Sequence, residues 1–189
     1  MVTNLIRCPW CGITDQLYVD YHDNEWGVPV HDDRVLFEFL SLEGSQAGLS
    51  WITVLRKREE YRYHFQDWNI EKISKMTDEV LEKILLDPGI IRNRLKIYSV
   101  RKNAITALRI QQEFGSLDAY FWNFVNHKPI INHPQTMSDF VAKSEISQTI
   151  SKDLKKRGMS FVGSTIIYAH MQAIGMVDDH IDTCWKSIT

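Results

Sequence analysis

Residues 18–51 read YVDYHDNEWGVPVHDDRVLFEFLSLEGSQAGLSW, and the spacing of their apolar side chains sets the fold class. Val35, Leu36, Phe39 and Leu40 recur at intervals of three and four, the signature of one helical face. Asp32 or Asp33 can cap that helix at its start, while Gly44 and Gly48 loosen its end. Glu43 falls on or beside the apolar stripe, at the end of the helix where the dipole disfavours a carboxylate. Its ordinary explanation is a surface glutamate. The sharper one is a buried acid that grips something. Tyr18, Tyr21, Trp26 and Trp51, taken singly, read as core aromatics. Gathered around one acid, they are equipment for holding a flat, electron-poor, hydrogen-bonding ligand. Gly48-Leu49-Ser50 sets an apolar side chain at a turn tip where backbone can approach a ligand closely.

Working outward, the same periodicity recurs through most of the chain and no convincing alternation of period two appears, so the expected class is all-α with almost no sheet. A loop over residues 8–14 leads into a helix near 15–24, ended by Gly27-Val28-Pro29. Ser50 caps a helix over about 51–63, Thr77 one near 78–86, and Asp87-Pro88-Gly89 turns the chain. A longer helix runs from about 90 to 113, stopped by Gly115, and Ser116 caps the next, near 117–125. Residues 126–138 are the longest loop. A helix over about 145–157 ends at Gly158, a brief turn follows through Ser160 to Gly163, and another helix runs from 164 to 174. The exposed N–H groups at Gly163, Ser164 and Thr165 form a natural phosphate cradle.

The chain has 189 residues, enough for one domain spanning 1–189 or two small lobes around a cleft. Hydrophobic residues at 44% and charged residues at 24% are ordinary globular values, which excludes wholesale disorder. No run reaches the length of a membrane span, and MVTNLIRCPWCG carries no apolar signal segment, so the expected location is cytoplasmic with no membrane partner. A net charge of -2 counts against nucleic-acid binding unless local clusters carry it. The candidate clusters are Arg56-Lys57-Arg58, Arg92 with Arg94 and Lys96, and Lys155-Lys156-Arg157, each of which alone reads as a solvated face.

An odd cysteine count, three, argues for reduced thiols or metal ligands rather than a disulfide framework. His180 and Cys184 lie four apart, so on a helical turn both project from one face as half a metal site. Cys8 and His22 would complete a Cys2His2 tetrahedron that clips the two chain ends together. Cys8-Cys11 is the rival, either within a Cys3His site or as a redox pair, and packed histidines with free thiols are the plain alternative.

Several stretches together resemble the constitutive, type I family of bacterial 3-methyladenine DNA glycosylases: RCPW, LYVDYHDNEWGVP, LEGSQAGLSWITVLRKRE, GIIRNRLKI, FVNH, LKKRGMSFVGSTI and DDHIDTC. The resemblance covers nearly the full length. It implies a fold of the helix-hairpin-helix glycosylase superfamily, structural zinc on Cys8, His22, His180 and Cys184, and a monomer that acts on double-stranded DNA containing alkylated purines. Tyr18, Tyr21, Trp26, Glu43 and Trp51 would line the pocket for a flipped base, with Gly48, Leu49, Gly163, Ser164 and Thr165 against DNA. The implied activity is excision of N3-methyladenine in base excision repair, with Glu43 as the first catalytic candidate. Asp178 is the second, because Val177-Asp178-Asp179-His180 resembles the loop in which the wider superfamily keeps a catalytic aspartate; its other reading is a helix cap. The hairpin has Ser164 and Thr165 where bifunctional relatives place a lysine, so no strand-cleaving lyase step is expected. Two other classes compete: a helical module that holds damaged DNA without cutting it, and a zinc hydrolase using His22, His180 and Cys184 around an open water position.

Overall fold

Helix α2, Asp33–Gln46, is buried continuously from Leu36 to Ser45, the polar Glu38, Ser41, Glu43 and Ser45 included, because other elements pack on every side of it. The computed structural model describes residues 5–187. The sequence readings of Met1–Asn4 and of the outermost domain bounds lie outside them. In chain order the remaining helices are α1 (Gln16–Asn24), α3 (Trp51–Leu55), α4 (Arg58–His64), α5 (Ile70–Ser74), α6 (Asp78–Ile84), α7 (Arg94–Phe114), α8 (Leu117–Asn123), α9 (Glu145–Arg157) and α10 (Ser164–Ala173). Helix α2 packs against α3, α7, α8 and α10. One contiguous apolar core runs from Cys8 to Cys184. Among the described residues the only strand pairing is β1, Ile130–Ile131, lying parallel to β2, Val177–Asp178, so the all-α expectation holds apart from this short bridge between the long loop and the segment after α10. No helix among them is long and apolar enough to cross a membrane.

Both aspartates at the head of α2 are caps, but of different helices. Asp32 accepts from the N–H groups of Arg34 and Val35. Asp33 instead accepts from Leu117 N, Asp118 N and Gln111 Nε2, fixing the first turn of α8. At the other end of α2, the buried Lys96 ammonium donates to Ser45 O (2.8 Å) and Ala47 O (2.7 Å), satisfying carbonyls that a helix terminus leaves free.

The helix expected over 51–63 is broken into α3 and α4. Arg58 is drawn inward, where its guanidinium donates to Glu38 (2.7 Å) and Glu25 (2.6 Å) and lies over the Phe39 ring; the chain turns at Arg56 and Lys57 to allow it. The helix expected from 90 starts instead at Arg94, because the Asn93 side chain caps it through Lys96 N. Helices α6, α8 and α10 stop one or two residues short of expectation, whereas α9 spans the expected residues and opens with a Ser144/Ser147 capping box.

Most of the proposed phosphate clusters are committed elsewhere. Arg56 pairs with Asp15, Arg94 with Glu82, and Arg157 with Glu113 and Asp153, while Arg58 and Lys96 are buried. Among the described residues Arg92, Lys155 and Lys156 are exposed and make no ion pair.

Gly175 carries a strict requirement. Its φ is +70°, and a Cβ there would stand 2.4 Å from Val28 C and Pro29 N, where segment 27–30 lies along the end of α10 through Gly27 N to Gln172 O and Val30 N to Ile174 O. Neither the backbone angle nor the space admits a side chain. Gly175→Ala is expected to lower stability by about 3 kcal/mol or more. Urea unfolding checks this, and an unmoved midpoint would show that segment 27–30 yields freely.

Candidate functional site

The end of α2 opens into a cavity of about 200 Å³. Helix α1 supplies Tyr18 and Tyr21, α2 supplies Glu43 and Gln46, α3 supplies Trp51, and α10 supplies Ala169 and Gln172; Trp10 and Met137 come from single 3-10 turns, and Trp26 and Phe140 from loops. Tyr18, Tyr21, Trp26, Glu43 and Trp51, the five pocket candidates, therefore share one slot. Trp10, Gln46, Met137, Phe140, Ala169 and Gln172 escaped notice. Trp10 belongs to the RCPW motif, and Met137 and Phe140 sit where no periodicity exists to place them.

The slot's polar atoms are unusual for a folded interior, where buried donors and acceptors are nearly always paired. Glu43 is 4% exposed, makes no ion pair, and its Oε2 has no partner. Burial alone pushes its carboxyl up to about 8, so the acid is largely neutral at pH 7. The indole nitrogens of Trp10 and Trp51 are likewise buried and unpartnered. Three walls of one slot thus hold hydrogen-bonding capacity that the protein does not use. The rings pack edge to face or tilted, Trp10 on Trp26 at 4.9 Å and Tyr21 on Trp51 at 5.4 Å between centroids. A larger cavity of about 630 Å³ lies past Gln135, Asp139 and Val141, but none of the unpartnered atoms belongs to it.

Behind the slot, Cys8, His22 and Cys184 converge: one ligand atom from each lies within 4.8 Å of the others. His22 Nε2 stands 3.5 Å from Cys184 Sγ. His180 falls outside that trio, yet its ring is 5.1 Å from that of His22 and its buried Nε2 has no partner. Both histidines are oriented by carboxylates through the opposite nitrogen, His22 Nδ1 on Asp23 and His180 Nδ1 on Asp178. Arg7 holds Asp23 with three hydrogen bonds. Cys11 turns away, its thiol directed at the Cys8 and Gly12 carbonyls. Burial pushes the Cys8 thiol up to about 12, so that thiol needs a cation beside it to become a thiolate. Trp26 packs against both histidine rings and joins this cluster to the slot.

Asp178 does not line the slot. It is buried, and its Oδ1 accepts from His180 N and Nδ1 at 2.9 and 2.7 Å. That oxygen is engaged by an imidazole packed against Trp26. Leu49 is 40% exposed on the turn between α2 and α3, beside Gly48 with φ +80° and open space where a Cβ would be. Gly163 precedes α10 without a side-chain cap, and Ser164 and Thr165 form its first turn. The preceding turn is fixed by Asn103, which bonds both the N–H and the C=O of Ser160, and by Ser151 donating to Val162 O.

A helical domain whose aromatic slot ends in an unpaired, buried acid offers the stacking faces and the acceptor that a flat, cationic or amine-bearing ring requires. The family model described as methyladenine glycosylase matches residues 10–187. The DNA-3-methyladenine glycosylase of Haemophilus influenzae is 47% identical over 178 residues, covering 94% of this chain and 96% of that protein. A crystal structure of 3-methyladenine DNA glycosylase I superimposes with a TM-score of 0.93 at 46% identity, covering 97% of this chain and 100% of the other. A substituted form of 3-methyladenine DNA glycosylase I in complex with 3-methyladenine also gives 0.93, at 33% identity and 97% and 98% coverage. The chain belongs to the methyladenine glycosylase family, and it is an enzyme.

Proposed function

We propose that the enzyme is a monofunctional DNA N-glycosylase that removes N3-methyladenine from alkylated duplex DNA during base excision repair, by taking the base out of the stack and into the slot. The observation that carries this is Glu43: a buried acid without a partner, among indoles and phenols.

Methylation at N3 leaves adenine positively charged and a far better leaving group, so recognition is most of the task and strong acid catalysis is not required. Extrusion costs a few kcal/mol, least for a damaged base. Aromatic faces favour a cationic ring, and stacking contributes about 1–3 kcal/mol per base. Glu43 accepts a hydrogen bond from the exocyclic amine and, once ionised, compensates the ring charge. On this reading Leu49, at its exposed turn, fills the gap left in the duplex, and the uncapped start of α10 at Gly163, Ser164 and Thr165 receives a phosphate in helix-hairpin-helix fashion. Asp178 and Asp23 are positioning residues for the two histidines. Zinc fits Cys8, His22, His180 and Cys184: the trio is assembled, the fourth nitrogen is unspent, and both imidazoles have the carboxylate partners that zinc-binding histidines use. Such an ion would hold the chain ends together and stiffen Trp26. A monomer acting in the bacterial cytoplasm is part of the same proposal.

Incubating the protein with methylated duplex and separating released bases by chromatography tests the activity. Free 3-methyladenine is expected, with the DNA strand intact until the abasic site is treated with alkali. Tight binding to methylated duplex with no free base would instead describe a module that holds damage without cutting.

A further inference from the structure

Resting on the glycosylase reading above, the structure assigns to Gln172, set in orientation by Asp179, the discrimination between purines with an amine at C6 and purines with a carbonyl there. Gln172 sits on the last turn of α10 and lines the slot with Glu43. A free glutamine amide can present either its oxygen or its nitrogen to a ligand. Here the choice is made by Asp179. This aspartate is buried, and its two oxygens take Asn132 Nδ2 at 2.7 Å, Tyr168 Oη at 2.8 Å and Gln172 Nε2 at 2.7 Å. A carboxylate only accepts, so the amide nitrogen must face it and Oε1 is the end left over. Among the described residues nothing donates to that oxygen. The main chain at this point is also held, because Gly27 N donates to Gln172 O at 3.0 Å.

The consequence is an acceptor in the slot wall that cannot change sign. An amine at C6 carries two N–H hydrogens and can satisfy Gln172 and Glu43 together. A carbonyl at C6 meets a second lone pair at Gln172. Glu43 is a poorer discriminator on its own, because its protonated carboxyl can turn a hydroxyl toward a carbonyl and donate. The Asn132–Tyr168–Asp179 network serves to keep the amide from rotating.

The test compares release of 3-methyladenine and 3-methylguanine from methylated duplex by wild type, Gln172→Met, Asp179→Asn and the double variant. Wild type is expected to favour the amine-bearing base. Gln172→Met is expected to lower that ratio about tenfold, the size of one net hydrogen bond. Asp179→Asn offers its own amide nitrogen to Gln172 Oε1 and releases the lock, so the ratio should fall again by about tenfold, yet move no further when residue 172 is already Met. A purely structural role predicts that both rates fall together at a constant ratio, or that Asp179→Asn changes the ratio equally in both backgrounds; either result overturns the assignment. Gln172→Met leaves Asp179 to Tyr168 and Asn132, and decides the matter alone if Asp179→Asn does not fold. Wild type that releases neither base refutes the glycosylase reading itself, whereas active wild type with an unmoved ratio in Gln172→Met refutes only the role given to Gln172.

Discussion

Glu43→Gln is expected to lose release of 3-methyladenine by roughly thirtyfold to several thousandfold in kcat/KM while keeping its fold. The range follows from removing one partner of a buried charge pair, which costs about 2–5 kcal/mol. Glutamine keeps the length and an acceptor oxygen, so stacking and one hydrogen bond survive; what disappears is the negative charge opposite a permanently cationic ring. Wild-type rates in the folded variant would remove Glu43 from the mechanism.

The pH behaviour separates charge compensation from mere shape. With its carboxyl at about 8, the free enzyme below that pH holds a neutral acid that must give up its proton as the cation enters. Wild-type kcat/KM should therefore climb with pH and level off above about 8, and Glu43→Gln should be flat over that interval. Stability runs the other way. A glutamate raised from 4.5 to about 8 by folding contributes stability that is fully present below 4.5 and is lost as pH rises through 8, on the order of 5 kcal/mol at most. Relative to wild type, the glutamine variant should be more stable at pH 9 than at pH 5, measured by denaturant midpoints at the two pH values. A buried acid that weakens the fold once it ionises is an instance of the trade between stability and function.

That anomaly was visible in the amino-acid sequence, as were α2 and α9, because long apolar periodicity and side-chain caps are local signals. Helix α5 went unread, since five residues with only Ile70 and Ile73 buried show no period. The break before Arg58 was hidden for a different reason: a run of Arg-Lys-Arg reads as a solvated face, and only the distant carboxylates of Glu25 and Glu38 reveal that one member is buried. Tyr18, Tyr21, Trp26 and Trp51 were legible through their nearness to Glu43 in the chain. Gln172, Met137 and Phe140 reach the slot across more than 80 residues of intervening chain, and spacing carries no information about such approaches.

Chelation with a strong zinc ligand is expected to lower the melting temperature sharply and to cost activity in step with structure. The native protein should contain about one zinc ion per chain, with an absorption-edge spectrum of two sulfur and two nitrogen ligands and no water. Cys8 and Cys184 lie near opposite ends of the sequence, so a bond through the ion closes almost the whole chain, where loop-closure entropy is largest. Structural zinc gives about 10–16 kcal/mol of apparent binding in small modules, comparable to the whole stability of a typical domain. Cys184→Ser should therefore lose both the metal and most of the cooperative transition, whereas Cys11→Ser, whose thiol is directed at backbone carbonyls, should keep a full complement of zinc. His180→Ala should leave a site of three ligands with weakened binding and disturb the slot through Trp26, whose ring lies 4.6 Å from the imidazole. An open water position in the wild-type spectrum would turn the cluster into a hydrolytic centre; full metal content in Cys184→Ser would show that the ion, if held at all, is held elsewhere.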